Sequence, residues 1–131
     1  MAETDVSKNE QTVNDFIAAF GRMDMEALMN FFTEDAVYHN IPWPPATGKA
    51  EIRKVLQSFT KDMGMTSAKF EVRFQVSKGN IVMNERVDYI GVKDKKIGLP
   101  VFGVFEVENG KIKAWRDYFD AETFNKELAA A

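Results

Sequence analysis

The hydrophobic period of this chain changes at Gly64, and that change limits the fold more than any other feature. Before it, apolar residues recur at helical spacing, as in Val13, Phe16, Ile17 and Phe20. After it, Ala68, Phe70, Val72, Phe74 and Val76 alternate with Lys69, Glu71, Arg73, Gln75 and Ser77, the pattern of a strand half buried on one face. Lys78-Gly79-Asn80 predicts a hairpin turn, and Ile81 to about Tyr89 the returning strand. Lys93–Lys96 reads as a charged, exposed loop. Ile97–Val107 is a long strand in which Gly98, Pro100 and Gly103 predict a bulge or bend. Asn109-Gly110 predicts another hairpin, followed by a strand over Lys111–Phe119 and a helix from Asp120 with Phe124 and Leu128 inward.

Ahead of Gly64 the order is helical. Residues 1–6 read as a flexible start, and a helix is expected from about Ser7 with Gly21 as its C-terminal cap. Asp24 can cap a second helix carrying Leu28, Met29 and Phe32. A short strand follows over Asp35–Asn40, then a loop forced by Pro42, Pro44 and Pro45 and ended by Gly48. A third helix spans Lys49–Lys61, with Ile52, Val55, Leu56 and Phe59 on one face. Helices segregated from an antiparallel run make a single α+β domain over residues 1–131: a curved mixed, largely antiparallel sheet wrapped around N-terminal helices. Such a cone encloses an apolar pocket.

Several function classes drop out on composition. A net charge of -3 with no basic run speaks against nucleic-acid binding. The absence of Cys and the single His remove thiol chemistry, disulfides and most zinc sites, so no metal is expected. No apolar h-region follows the polar Met1–Glu10, and no window is apolar enough to span a bilayer. The expectation is a cytoplasmic protein without a signal peptide or a membrane partner. The eleven Phe and seven Met suggest a large apolar interior that partly lines a cavity.

Polar residues interrupt that interior at a few positions. Side chains at i and i+2 of a strand share a face, so Arg86 and Asp88 point together, in line with Val82 and Ile90. Tyr38 and Asn40 share a face of the first strand, and Asp117 shares one with Trp115 and Phe119. Taken singly, each has a plainer reading. An Arg–Asp pair is more often structural than catalytic, Tyr38 suits a core with its hydroxyl satisfied, and Asn40 suits a turn before the prolines. His39 and Glu85 face the other way, and Asp120 reads as a helix cap. Together, two carboxylates with an Arg between them fit an acid–base pair. Desolvation keeps a proton on one, while hydrogen bonds and a cation keep the other ionised. With no Cys, no Ser motif and no metal cluster, activated water is the nucleophile these residues favour.

The chain resembles the limonene-1,2-epoxide hydrolase family, within the nuclear-transport-factor-like α+β cones. The marks are Tyr38-His39-Asn40-Ile41-Pro42 followed by Pro44-Pro45, Glu85-Arg86-Val87-Asp88, Gly103-Val104-Phe105, and Gly110-Lys111-Ile112 followed by Trp115-Arg116-Asp117-Tyr118-Phe119-Asp120. They stand in order at compatible spacing from the first helix to Phe124. The resemblance implies a cofactor-independent hydrolysis of a small apolar epoxide to a vicinal diol, without a covalent intermediate. Asp117, Tyr38 and Asn40 would hold the attacking water. Asp88 would protonate the leaving oxygen, and Arg86 would bridge the carboxylates. It also implies a pocket wall of Phe16, Ile17, Phe20, Phe59, Met63, Ile90, Leu99, Val101, Phe119 and Phe124, and a homodimer through the sheet. The alternatives on the same cone are an isomerase or polyketide cyclase, and a non-catalytic binder of an apolar molecule.

Overall fold

The computed structural model describes residues 2–130. Helices α1 (Ala2–Arg22) and α2 (Met25–Met29) lead into strand β1 (Phe32–Asn40), the short strand β2 (Ala46–Thr47) and helix α3 (Lys49–Lys61). Strands β3 (Met65–Lys78), β4 (Ile81–Val92), β5 (Lys95–Glu108) and β6 (Lys111–Tyr118) follow as a meander, and α4 (Ala121–Ala130) ends the chain. The sheet has the order β2-β1-β6-β5-β4-β3. Among the described residues, β1 and β6 pair in parallel and the other neighbouring strands pair antiparallel. This is the α+β architecture expected from the change of period.

Local chemistry accounts for most boundaries. Asp24 caps α2, its carboxylate accepting from the Ala27 amide at 3.2 Å. Asp120 caps α4, accepting from the Glu122 amide and the Thr123 hydroxyl. Gly79 and the pair Asn109-Gly110 take the positive φ that their tight hairpins need. Helix α3 spans the expected residues, with Ile52 and Leu56 buried.

Five expectations change. Helix α1 begins at Ala2 rather than Ser7, so most of the presumed flexible start is helical. It runs through Gly21 to Arg22, and Met23, at φ 54, takes the left-handed position that Gly21 was expected to fill. Phe32 opens β1 instead of closing α2. No register shift interrupts the β4–β5 pairing around Gly98, Pro100 and Gly103. Pro100 lies beyond Phe102, the last β5 residue paired with β6, where a missing N–H is tolerated. The fifth concerns β3. Its register shifts between Val72 and Phe74, so the alternation does not keep one face inward. Phe74 is 71% and Val76 63% exposed. Gln75 and Ser77 turn toward α1 instead, bonding Asn14 and Glu10.

The core lies between α1, α3 and the concave face of the sheet. Phe16 is its centre, with edge contacts to Phe31, Phe32, Phe105 and Trp115 at centroid distances of 5.5, 5.4, 6.2 and 4.9 Å. Each such pair adds about 0.5–1.5 kcal/mol to the burial itself. Among the described residues, no helix is long and apolar enough to cross a membrane.

Candidate active site

Strand register places the polar residues. Tyr38, Trp115, Phe105 and Val82 form one row across β1, β6, β5 and β4 on the concave face, and all four are buried. The next row is Asn40, Asp117, Gly103 and Asn84. Arg86 and Asp88 follow on β4, opposite Val101 and Leu99. A polar row thus crosses an otherwise apolar surface, and the parallel β1–β6 pairing sets Asn40 beside Asp117.

Arg86 ties the row together. Its Nε and Nη2 donate to Asp88 Oδ1 and Oδ2, both at 2.9 Å, the bidentate geometry that suits a planar guanidinium. Nη2 also donates to Asp117 Oδ2 at 2.9 Å, and Nη1 to Asn84 Oδ1 at 3.0 Å. Phe70 lies under the guanidinium, its ring centroid 4.8 Å from Cζ. Arg86 is 1% exposed, and Asp88 and Asp117 4% each. Gly103 makes the arrangement sterically possible. A Cβ there would collide with Arg86 Nη1 and come within 2.9 Å of Asp117 Oδ1 and 3.1 Å of Asn84 Oδ1.

The other oxygen of Asp117 accepts from Trp115 Nε1 at 2.8 Å. Tyr38 stacks on Trp115 with centroids 4.1 Å apart and planes at 16°. Asn40 Nδ2 donates to the Tyr38 hydroxyl at 3.0 Å, leaving the hydroxyl proton free for another acceptor. His39, on the opposite face as expected, bonds the Trp43 carbonyl at 2.9 Å and steadies the proline loop.

The electrostatics separate the groups. Burial pushes Asp88 up from 3.8 to about 6; its bonds to Arg86 oppose the shift and the charge of Asp117 adds to it. Burial, reinforced by the charge of Asp117, also raises the Tyr38 hydroxyl well above its ordinary value, so it stays neutral and able to donate. For Arg86, burial works against the charge, but Asp117 and Asp88 outweigh it and hold the proton more firmly than usual.

Tyr38, Asn40, Asp88 and Asp117 form the polar end of a pocket whose wall is apolar. The cavity between these side chains is narrow, about 50 Å³. Phe20, Phe59, Met63, Ile90, Leu99, Val101, Phe119 and Phe124 line it as expected. Phe16 and Ile17 do not. Phe16 is consumed by the aromatic core, and Ile17, on the same helical face, packs against that core as well. Sequence reasoning missed Trp43, Met65 and Phe70 on the wall. Trp43 reaches it by folding the proline loop back, so that its ring meets Phe119 and Phe124 at 5.3 and 5.9 Å.

Known proteins resemble the chain over nearly its whole length. Residues 7–130 match the family model of the limonene-1,2-epoxide hydrolase catalytic domain. The chain belongs to the limonene-1,2-epoxide hydrolase family. A curated relative, epoxide hydrolase EphG of Mycobacterium tuberculosis, is 30% identical over 118 residues, covering 88% of this chain and 76% of that protein. A solved M. tuberculosis epoxide hydrolase described as limonene-epoxide-hydrolase-like superposes with a TM-score of 0.82 at 26% identity, covering 95% of this chain and 92% of that one. The fold itself is shared more widely. A Shewanella putrefaciens protein described as a SnoaL-like polyketide cyclase superposes with a TM-score of 0.82 at 16% identity, covering 94% of this chain and 97% of that one. Fold likeness alone does not assign a chemistry, and the residues of the site must.

Proposed function

We propose that this member of the limonene-1,2-epoxide hydrolase family hydrolyses a small apolar epoxide to a vicinal diol in one step. The observation that carries the reading is Arg86 spanning two buried carboxylates at the polar end of an apolar pocket. Asp117 takes a proton from water held with Tyr38 and Asn40. The water oxygen forms a bond to one epoxide carbon as that carbon's bond to the ring oxygen breaks. Asp88 gives its proton to the departing oxygen, so the product carries two hydroxyls and no enzyme ester forms. The step leaves Asp117 protonated and Asp88 ionised. Arg86 remains a cation throughout, because both partners favour its charged form. It holds the pair together while water returns the proton.

The sign of the pH dependence follows from the role of Asp88. A general acid must hold its proton, and Asp88 releases it near pH 6. The expected kcat/KM therefore falls as pH rises through about 6. The direct test is turnover of cyclic, styrene-type and acyclic epoxides in ¹⁸O-labelled water. The expected result is diol carrying one solvent oxygen. A product without solvent oxygen favours an isomerase or cyclase, and tight binding without turnover across the panel favours a binding protein.

The reading includes a homodimer through the convex face of the sheet. Phe74, Val76, Phe102 and Tyr118 are 71%, 63%, 42% and 43% exposed there, an apolar surface that calls for a partner. Light scattering should give the mass of two chains, and the double variant Phe74→Glu/Phe102→Glu that of one. A wild-type monomer at micromolar concentration would remove this part of the proposal.

A further inference from the structure

The guanidinium of Arg86 has one edge that neither carboxylate holds. Nε and Nη2 meet Asp88 and Asp117, whereas Nη1 points to Asn84, which is 1% exposed and does not line the pocket. The orientation of the Asn84 amide is set from behind. Its Nδ2 donates to Gln75 Oε1 at 3.1 Å, and Gln75 Nε2 donates to Asn14 Oδ1 at 3.0 Å. Gln75 Nε2 also lies 3.5 Å from Glu10 Oε1, while the Ser77 hydroxyl donates to Glu10 Oε2. Each amide presents its oxygen toward Arg86 and its NH₂ away from it. The result is a one-way file of hydrogen bonds from the site to α1.

We propose that Asn84, oriented by Gln75, is a positioning residue that keeps the Arg86 guanidinium shared between Asp88 and Asp117. This rests on the hydrolase reading above and adds a residue to it. The physical reason is competition for donors. Nη1 and Asp117 Oδ1 both lie against Gly103. If the Asn84 acceptor is removed, a buried N–H must find another oxygen, and Asp117 is the one at hand. A guanidinium turned toward Asp117 withdraws from Asp88 and disturbs the spacing of acid and base. A neutral acceptor at position 84 holds Nη1 without adding a third negative charge to the pair. Among the described residues, the charged groups acting on Asp88 are Arg86 of its own strand and Asp117 of β6, with the neutral Tyr38 hydroxyl of β1 nearby.

The test combines kinetics with a titration that does not need activity. In Asn84→Leu, kcat should fall by about 10- to 100-fold with KM within about twofold, because geometry and not substrate contact is lost. The Asp88 carboxyl, followed by ¹³C NMR, should titrate above its wild-type midpoint as Arg86 withdraws from it. An Asn84→Leu protein that keeps wild-type kcat and an unmoved Asp88 midpoint overturns the proposal. Should Asn84→Leu not fold, Gln75→Leu leaves every group touching Arg86 in place. It should lower kcat by roughly 3- to 10-fold and raise the Asp88 midpoint, and no change in either overturns the proposal. If the wild type turns over no epoxide, the hydrolase reading fails by itself, and the Asp88 titration still decides the role of Asn84.

Discussion

Asp117→Asn is expected to lower diol formation by roughly 10²–10⁴-fold, the contribution of a positioned general base. The change is nearly isosteric but chemically opposed to its surroundings. Both oxygens of Asp117 accept, one from Trp115 Nε1 and one from Arg86 Nη2. An amide offers a single oxygen, so its NH₂ must face one of those N–H groups. A buried donor left without an acceptor costs about 1–3 kcal/mol, so the variant should also melt earlier. Asp88→Asn meets the same conflict, because Arg86 donates to both of its oxygens, and it removes the proposed proton donor. Product analysis beside a thermal melt separates the two effects. Near wild-type turnover in either folded variant would rule out the acid–base mechanism.

Arg86→Leu should show the largest loss of stability. The side chain fits an apolar row, yet its removal leaves two buried carboxylates without their shared cation. Breaking a buried ion pair from one side costs about 3–5 kcal/mol. The penalty should depend on pH. Without Arg86, burial and the neighbouring charge raise Asp88 still further above its unfolded value, so the folded protein binds more protons than the unfolded chain. Stability is then greatest at low pH and declines as pH rises through the raised value. Denaturant unfolding at pH 5 and pH 8 should find the variant more stable at pH 5, with no detectable hydrolysis at either. An equal loss at both values would mean that the cation does not balance the pair.

The parts of the site legible in the sequence were those written in a strand's period of two. Arg86 with Asp88, Tyr38 with Asn40, and Trp115 with Asp117 each show a shared face without any knowledge of the partner strand. Pairing between strands is not written that way. Nothing around Asn84 announces that it lies opposite Gly103, or that Gly103 is bare because a guanidinium passes over it. Helical spacing reports which side of α1 faces inward but not how deep each residue lies. The resemblance puts Phe16 on the pocket wall, whereas it sits beneath it, among the rings of Phe32, Phe105 and Trp115. Trp43 was hidden by the reverse problem. It lies in a proline loop without periodicity, and only the fold shows that the loop turns its ring onto Phe119 and Phe124. The β3 alternation does not keep to one face, since the shift at Val72/Phe74 exchanges the faces partway along.

The parallel pairing of β1 with β6 carries a consequence for how the molecule comes to life. Tyr38 and Asn40 belong to the first strand, and they meet Trp115 and Asp117 only across the seam that joins it to the last. Everything between them in the chain, from α3 through the β3–β5 meander, is joined by tight turns and can organise through local contacts. The seam cannot, since closing a long loop is the slow and entropically expensive step of folding. The polar row is complete only where the first and last strands of the sheet lie against each other, however much of the meander has formed.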